Sequence, residues 1–248
     1  MRSLIIKNIF KIHVFFYFVM FICLFTGNII DFLIFTSIIF IHELGHIVGG
    51  LFFSWKIEKV ILLPFGGLTI FSNNINTSLF EQFVVTVLGP MFQILFYFII
   101  GCFFNLSSNV VYFNFVLLFF NLLPICPLDG SKFLYIVLCL IFPFKLAHLL
   151  FVIISIICIF IIFLFFYHFD LVVFLILLFL LLKVICEFRN HYLVFYRFLF
   201  ERYCYKFDFK HVKMVNSTNQ MYLWCRHLFF VDNNYVSEKN FLSKLFDK

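Results

Sequence analysis

The chain has 248 residues, of which 65% are hydrophobic and 12% charged, and it carries a formal net charge of +6. A water-soluble domain has about twice that charged fraction, and so many apolar side chains cannot all face one interior core. The composition therefore excludes an ordinary soluble domain and points to an all-α, multi-spanning membrane protein with the bilayer as its solvent.

The opening stretch, MRSLIIKNIFKIHVFFYFVMFICLFTGN, has the basic leader and apolar run of a signal peptide. It lacks a small-residue cleavage site, and a second apolar run follows almost at once, so a retained first transmembrane helix is expected. Further apolar runs follow the first, at Lys11–Thr26, giving Phe32–Phe53, Phe80–Phe104, Val110–Leu123, Ala147–Tyr167 and Leu171–Cys186. About twenty residues cross the hydrocarbon core, so about six transmembrane helices are predicted. The run Phe133–Phe144 is too short to count and is expected at the interface or as part of a broken helix. Lysines and arginines flank alternate ends of these runs: Arg2, Lys7 and Lys11; Lys56 and Lys59; Lys132 and Lys145; then Lys183, Arg189, Arg197 and Arg202. The intervening loops GNIID, NLSSN and YHFD have none, so the positive-inside rule places both termini in the cytoplasm of a multi-pass cell-membrane protein. Residues 1–186 form the membrane domain in this reading, and residues 187–248 form a basic, partly helical cytoplasmic tail. Within the tail, HYLVFYRFLFERYCYKF reads equally well as an amphipathic helix on anionic lipid or as a solvated juxtamembrane helix.

The 45 phenylalanines reflect an AT-rich coding bias and give no single Phe a role. The eight cysteines include no C-x-x-C pair and lie mostly in apolar runs, which argues against a disulfide framework or a cysteine zinc cluster.

The second run contains IFIHELGHIVGG, an H-E-x-x-H motif at His42, Glu43 and His46. Positions i and i+4 share a helix face, so both imidazoles can reach one ion. Glu43 is placed to accept a proton from activated water. Zinc suits such a site, being borderline-soft, redox-inert and content with three protein ligands plus water. An ionisable residue within a span costs about 2.5–3.5 kcal/mol, and three such residues within five are hard to reconcile with plain core groups bonded to nearby hydroxyls. The soluble extension H-E-x-x-H-x-x-G-x-x-H fails, because Phe52 occupies its last position, so a third ligand has to come from elsewhere. Asp129, in NLLPICPLDG, is the outstanding ionisable residue; Pro124 and Pro127 stop the fourth helix before it, and broken backbone at membrane depth belongs beside a cavity. A loop aspartate turning at Gly130 is the plainer alternative. His46 lies about 15 Å along a helix from Lys56, whereas Asp129 is only three residues from Lys132, so the proline break has to turn the chain inward or the surface has to dip.

Taken together, H-E-x-x-H in one span, LGP at Leu88–Pro90 in the next, and N-x-x-P followed by LDG at Leu128–Gly130 resemble the site-2 protease family of intramembrane zinc metalloproteases. With PFGG at Pro64–Gly67, the order looks most like the stage IV sporulation protein FB branch. The resemblance covers roughly residues 5–186. It implies that His42, His46 and Asp129 bind zinc, that Glu43 is the catalytic acid/base, and that Asn121 contacts substrate or the oxyanion. It also implies that KIEKVILLPFGGLTIF forms a small membrane-associated β-hairpin whose edge pairs with an extended substrate strand. Phe65, Gly66 and Gly67 at its turn join Asn121 as candidate substrate-binding residues. The expected partners are the lipid bilayer, a membrane-associated protein substrate such as a sporulation-type pro-transcription factor, and regulatory membrane proteins, with no nucleic acid. The stretch after Cys186 has no glycine-rich nucleotide pattern and is too short for the paired CBS motifs of many members. A membrane metal transporter or metal-binding scaffold without protease activity is the alternative of another class.

Overall fold

The computed structural model describes residues 10–63, 66–72, 75–165, 171–231 and 234–247. They form two compact units, Met1–Asn73 with Phe83–Leu122, and Asn74–Gln82 with Leu123–Lys248.

The first unit opens with strand β1 (Phe10–Ile12) and helix α1 (Val14–Phe25), whose first turn is capped by the His13 ring accepting from the Phe15 N–H. Helix α2 (Ile29–Phe52) follows, then strands β2 (Ile57–Leu63) and β3 (Gly66–Phe71). The β2–β3 pair is an antiparallel hairpin with Leu63 opposite Gly66. The sheet also takes in β1, which lies parallel to β2 with Phe10 opposite Val60, so its order is β1-β2-β3 with β3 at an edge. Helix α3 (Leu79–Phe103) enters this unit at Phe83, and helix α4 (Ser108–Asn121) closes it. Ile38 and Ile39 of α2 pack on Leu117 of α4, with Phe35 and Phe113 at the margin.

Two glycines one turn apart bring α2 against α3. A Cβ at Gly45 would overlap the Leu88 carbonyl, and one at Gly49 would meet Leu88 Cδ1 at 2.7 Å and Val85 Cα at 3.1 Å. Small residues spaced this way let helix backbones approach closely inside a membrane. On the outer side of α2, Leu33, Phe40, Leu51 and Phe52 are exposed, as befits a surface bathed in lipid rather than water.

In the second unit, helix α5 (Asp129–Ile141) restarts the chain after the proline break and is followed by α6 (Phe144–Phe165) and α7 (Leu171–Cys204). Phe144 stacks on Phe198 with ring centroids 4.2 Å apart, and its N–H donates to the Met221 carbonyl. Beyond α7 the chain forms a sheet of β4 (Val212–Val215), β5 (Arg226–Val231) and β6 (Asn234–Ser237), in which β4 is parallel and β6 antiparallel to β5. Helix α8 (Glu238–Phe246) packs on it through Phe241, stacked on Phe229 at 3.9 Å. Arg202, whose side chain is only 1% exposed, ties these pieces together. It donates to Asn76 Oδ1 and to the carbonyls of Tyr222, Leu223 and Cys225, and it pairs with Glu238.

Three helices among the described residues, α2, α3 and α6, are long and apolar enough to cross a membrane. The runs at Lys11–Thr26 and Val110–Leu123 form helices of only 12 and 14 residues. The first run loses residues to β1, and the last meets Pro124. The architecture is predominantly helical, as expected, but the described residues form two three-stranded sheets where the family resemblance implied one hairpin. The amphipathic stretch expected near residue 191 is no separate helix: α7 has neither Gly nor Pro to interrupt it and runs on to Cys204.

Candidate metal centre

Buried in the first unit, the ligand atoms of His42, Glu43 and His46 lie within 4.8 Å of one another. Their convergence follows from helix geometry, since one turn of α2 places both rings on the same face. What holds the rings comes from other elements. His42 Nδ1 donates to Gln93 Oε1 at 2.9 Å. Gln93 must present its oxygen there, because its amide nitrogen donates to the Asn114 carbonyl at 2.8 Å. His46 Nδ1 donates to the Val85 carbonyl at 2.9 Å. Both partners of the histidines are acceptors, so each Nδ1 carries a proton.

The two Nε2 atoms face each other 3.2 Å apart. A proton cannot occupy that gap without charging a ring, whereas a cation there satisfies both nitrogens at once. Two Zn–N bonds of about 2.0–2.1 Å at a tetrahedral angle separate their nitrogens by about 3.3 Å. The donor set and its spacing therefore fit zinc, with carbonyl oxygens fixing each ring from behind as in established zinc sites.

Glu43 is held from the hairpin. Thr69 Oγ1 of β3 donates to Glu43 Oε2 at 2.6 Å, which leaves Oε1 available. Gly67 lies against the same side chain, where any Cβ would overlap Glu43 Cγ. Gly89 plays the matching part for His46, since a Cβ there would overlap the imidazole. This explains the LGP motif sterically: Gly89 makes room for the ring whose Nδ1 is held one helical turn earlier, at Val85. Asn121, at the end of α4, brings its amide nitrogen to 3.4 Å from His42 Nε2.

Of the residues singled out from the sequence, His42, Glu43, His46, Asn121 and Gly67 thus meet at one place. Gly66 starts β3 with open space where its side chain would be, and Phe65 lies outside the described residues. Asp129 belongs to the second unit. It is the first residue of α5, only 4% exposed, and accepts from Lys132 Nζ at 2.8 Å.

Gln93, Asn114 and Thr69 were not anticipated. The sequence did hold a signal for the first two, since amide side chains inside apolar helices are costly unless they bond to something. The G-x-x-x-G at Gly45 and Gly49 was a further unread sign of close helix contact.

No protein-family model matches the chain. It is 34% identical over 207 residues to stage IV sporulation protein FB of Bacillus subtilis (strain 168), covering 79% of this chain and 72% of that protein. It is 32% identical over 116 residues to a zinc metalloprotease of Methanocaldococcus jannaschii, covering 41% of this chain and 32% of that one. Among solved structures, the site-2 protease from Methanocaldococcus jannaschii matches with a TM-score of 0.58 at 21% identity, over 72% of this chain and 89% of that chain. That structural likeness establishes a shared fold. With the sequence match to the sporulation protein, it places the chain in the site-2 protease family, peptidase family M50.

Proposed function

We propose that the chain is an intramembrane zinc metalloprotease that hydrolyses peptide bonds of membrane-associated or transmembrane proteins, with His42, His46 and Asp129 as ligands and Glu43 as acid/base. The observation that carries this reading is the buried convergence of His42, Glu43 and His46 in an apolar helix, with ligand atoms within 4.8 Å of one another and the two Nε2 atoms 3.2 Å apart. That spacing suits two imidazole nitrogens sharing one zinc ion.

A bound zinc ion would lower the pKa of its water toward neutrality and polarise the scissile carbonyl. Glu43 Oε1 receives the proton of the attacking water and returns it to the leaving amine, while Thr69 holds the other carboxylate oxygen and so fixes which one faces the reaction. The Asn121 amide N–H donates to the oxyanion that develops on the carbonyl. An extended substrate pairs with the free edge of β3. Gly67 lies on that strand against Glu43, so a paired substrate runs past the base near Phe65, Gly66 and Gly67. Residues 1–186 carry this chemistry, and the basic tail from 187 to 248 lies, like the N-terminus, on the cytoplasmic side. The relationship to the sporulation protein favours a membrane-associated pro-form of a sporulation transcription factor as substrate, with further membrane proteins as regulators.

The decisive comparison is between the parent and Glu43→Gln. Parent cells release products from the membrane that Glu43→Gln cells do not, while the purified variant keeps its metal. A variant that cleaves as well as its parent would sink the mechanism. Zinc flux into proteoliposomes that is indifferent to Glu43→Gln would instead favour a transporter.

A further inference from the structure

The second unit has a groove of about 530 Å³, lined by Lys145, Leu146 and Leu149 of α6 and by Arg189, His191 and Tyr192 of α7. Its volume lies in the range of about 300–1,000 Å³ typical of ligand sites. None of these residues belongs to the metal centre.

Its walls are of two kinds. Lys145 and Arg189 supply two positive charges. The Lys145 ammonium is fixed at the groove, donating to Asn219 Oδ1 at 3.0 Å and lying 5.7 Å from the centre of the Tyr192 ring. Arg189 is exposed. Beside these cations are exposed apolar side chains, with Leu146 42%, Phe188 51% and Tyr192 64% accessible. The groove also has a defined depth relative to a bilayer. Helix α6 is an apolar candidate span of 22 residues, about 33 Å long, and Lys145 is its second residue. The cations therefore sit where a helix of this kind leaves hydrocarbon, with Leu146 and Leu149 on the hydrocarbon side.

The floor adds a third feature. Glu187 Oε1 accepts from His148 Nε2 at 3.1 Å, so His148 Nδ1 is free to accept from His191 Nδ1 at 2.9 Å. This chain leaves His191 Nε2 as an acceptor. Burial first, and then the neighbouring His148 and Lys145, lower the His191 pKa.

We propose that this groove binds the headgroup of an anionic phospholipid bearing hydroxyl groups, with the phosphate on Lys145 and Arg189, a hydroxyl on His191 Nε2, and an acyl chain along Leu146 and Leu149. A choline headgroup would bring a third cation to the two already present. A free phosphate ion would leave the apolar wall and the His191 acceptor unused.

The test uses the full chain in nanodiscs of phosphatidylcholine doped with fluorescent phosphatidylglycerol, reading energy transfer to the bound lipid. Neutralising one interfacial cation is expected to weaken binding about fivefold, so Arg189→Gln loses about fivefold and Arg189→Gln with Lys145→Gln about 25-fold. Lys210→Gln, an exposed tail cation outside the groove, leaves binding unchanged, and millimolar inorganic phosphate does not displace the lipid. Equal losses in Arg189→Gln and Lys210→Gln would mean diffuse attraction to a basic surface and would overturn the proposal. So would displacement by inorganic phosphate, which would make the groove a site for soluble anions. Because Arg189 is exposed, its replacement does not endanger the fold.

Discussion

Gln93 Oε1 lies 2.9 Å from His42 Nδ1, and the same amide's nitrogen is spent on the Asn114 carbonyl. This fixes both the tautomer and the orientation of His42 without placing a charge in the membrane. Replacing Gln93 with Leu removes the acceptor and frees the ring to turn. Outer-shell losses of this kind cost about 10–100-fold in metal affinity or activity. Zinc titration with a competing chelator should show that drop for Gln93→Leu; unchanged affinity would mean that helix α2 alone orients the ring.

Gly89 and Gly67 separate the metal from the base. A methyl group at 89 overlaps the His46 imidazole, whereas one at 67 overlaps Glu43. Gly89→Ala should therefore lose both bound zinc and cleavage. Gly67→Ala should retain zinc while cleavage falls at least about tenfold, the effect of about 1.4 kcal/mol on the barrier. Gly66→Ala, with open space around it, is the control and should bind zinc normally. Metal analysis and a cleavage assay on the three proteins decide the matter, and a loss of zinc in Gly66→Ala as large as that in Gly89→Ala would refute the steric account.

Arg202 is the joint of the second unit. Removing it takes the guanidinium donor from Glu238 Oε1 and from the carbonyls of Tyr222, Leu223 and Cys225. Breaking a buried ion pair from one side costs about 3–5 kcal/mol. Arg202→Met should lower the opening free energy of the C-terminal sheet by about that amount, measured by hydrogen exchange at the β5 amides. Arg202→Lys should recover little, because an ammonium cannot reproduce the forked set of bonds.

The same joint responds to acid. Burial alone would raise the Glu238 pKa, but the hydrogen bond from His227 and the Arg202 charge outweigh it and hold the carboxyl below its usual value. The unfolded chain therefore binds the proton more readily than the folded one. Glu238 contributes stability above the ordinary carboxylate range, and that contribution is lost as pH falls through the lower folded value. Protection of β5 should be flat from neutral pH to about 5 and fall below about 4, with Glu238→Gln losing the pH dependence of this step. A parallel acid response in that variant would assign the effect to other carboxylates.

The centre of the site was legible in the sequence because its geometry is local. One helical turn relates His42 to His46, and adjacency relates Glu43 to His42. The hairpin was legible for the same reason, although Gly66 and Gly67, expected at its turn, are the first two residues of β3 and pair with Leu63 and Leu62. What was not legible depends on contacts remote in sequence: Gln93 meeting His42, Val85 meeting His46, and β1 pairing in parallel with β2. The C-terminal sheet was missed because its strands are only four to six residues long, too short for alternation to stand out in a chain so rich in Phe and Ile. Its order comes instead from the buried Arg202, which in the sequence is one of several basic residues in a row of charges.

The central claim is that the two imidazoles and the Asp129 carboxylate share one zinc ion. X-ray absorption at the zinc edge, combined with metal stoichiometry, tests it on the purified full chain and on Asp129→Ala. The account predicts one zinc per parent chain with two imidazole shells and one carboxylate, and a weakened, imidazole-only signal in Asp129→Ala. Full occupancy and an unaltered spectrum in Asp129→Ala would contradict it.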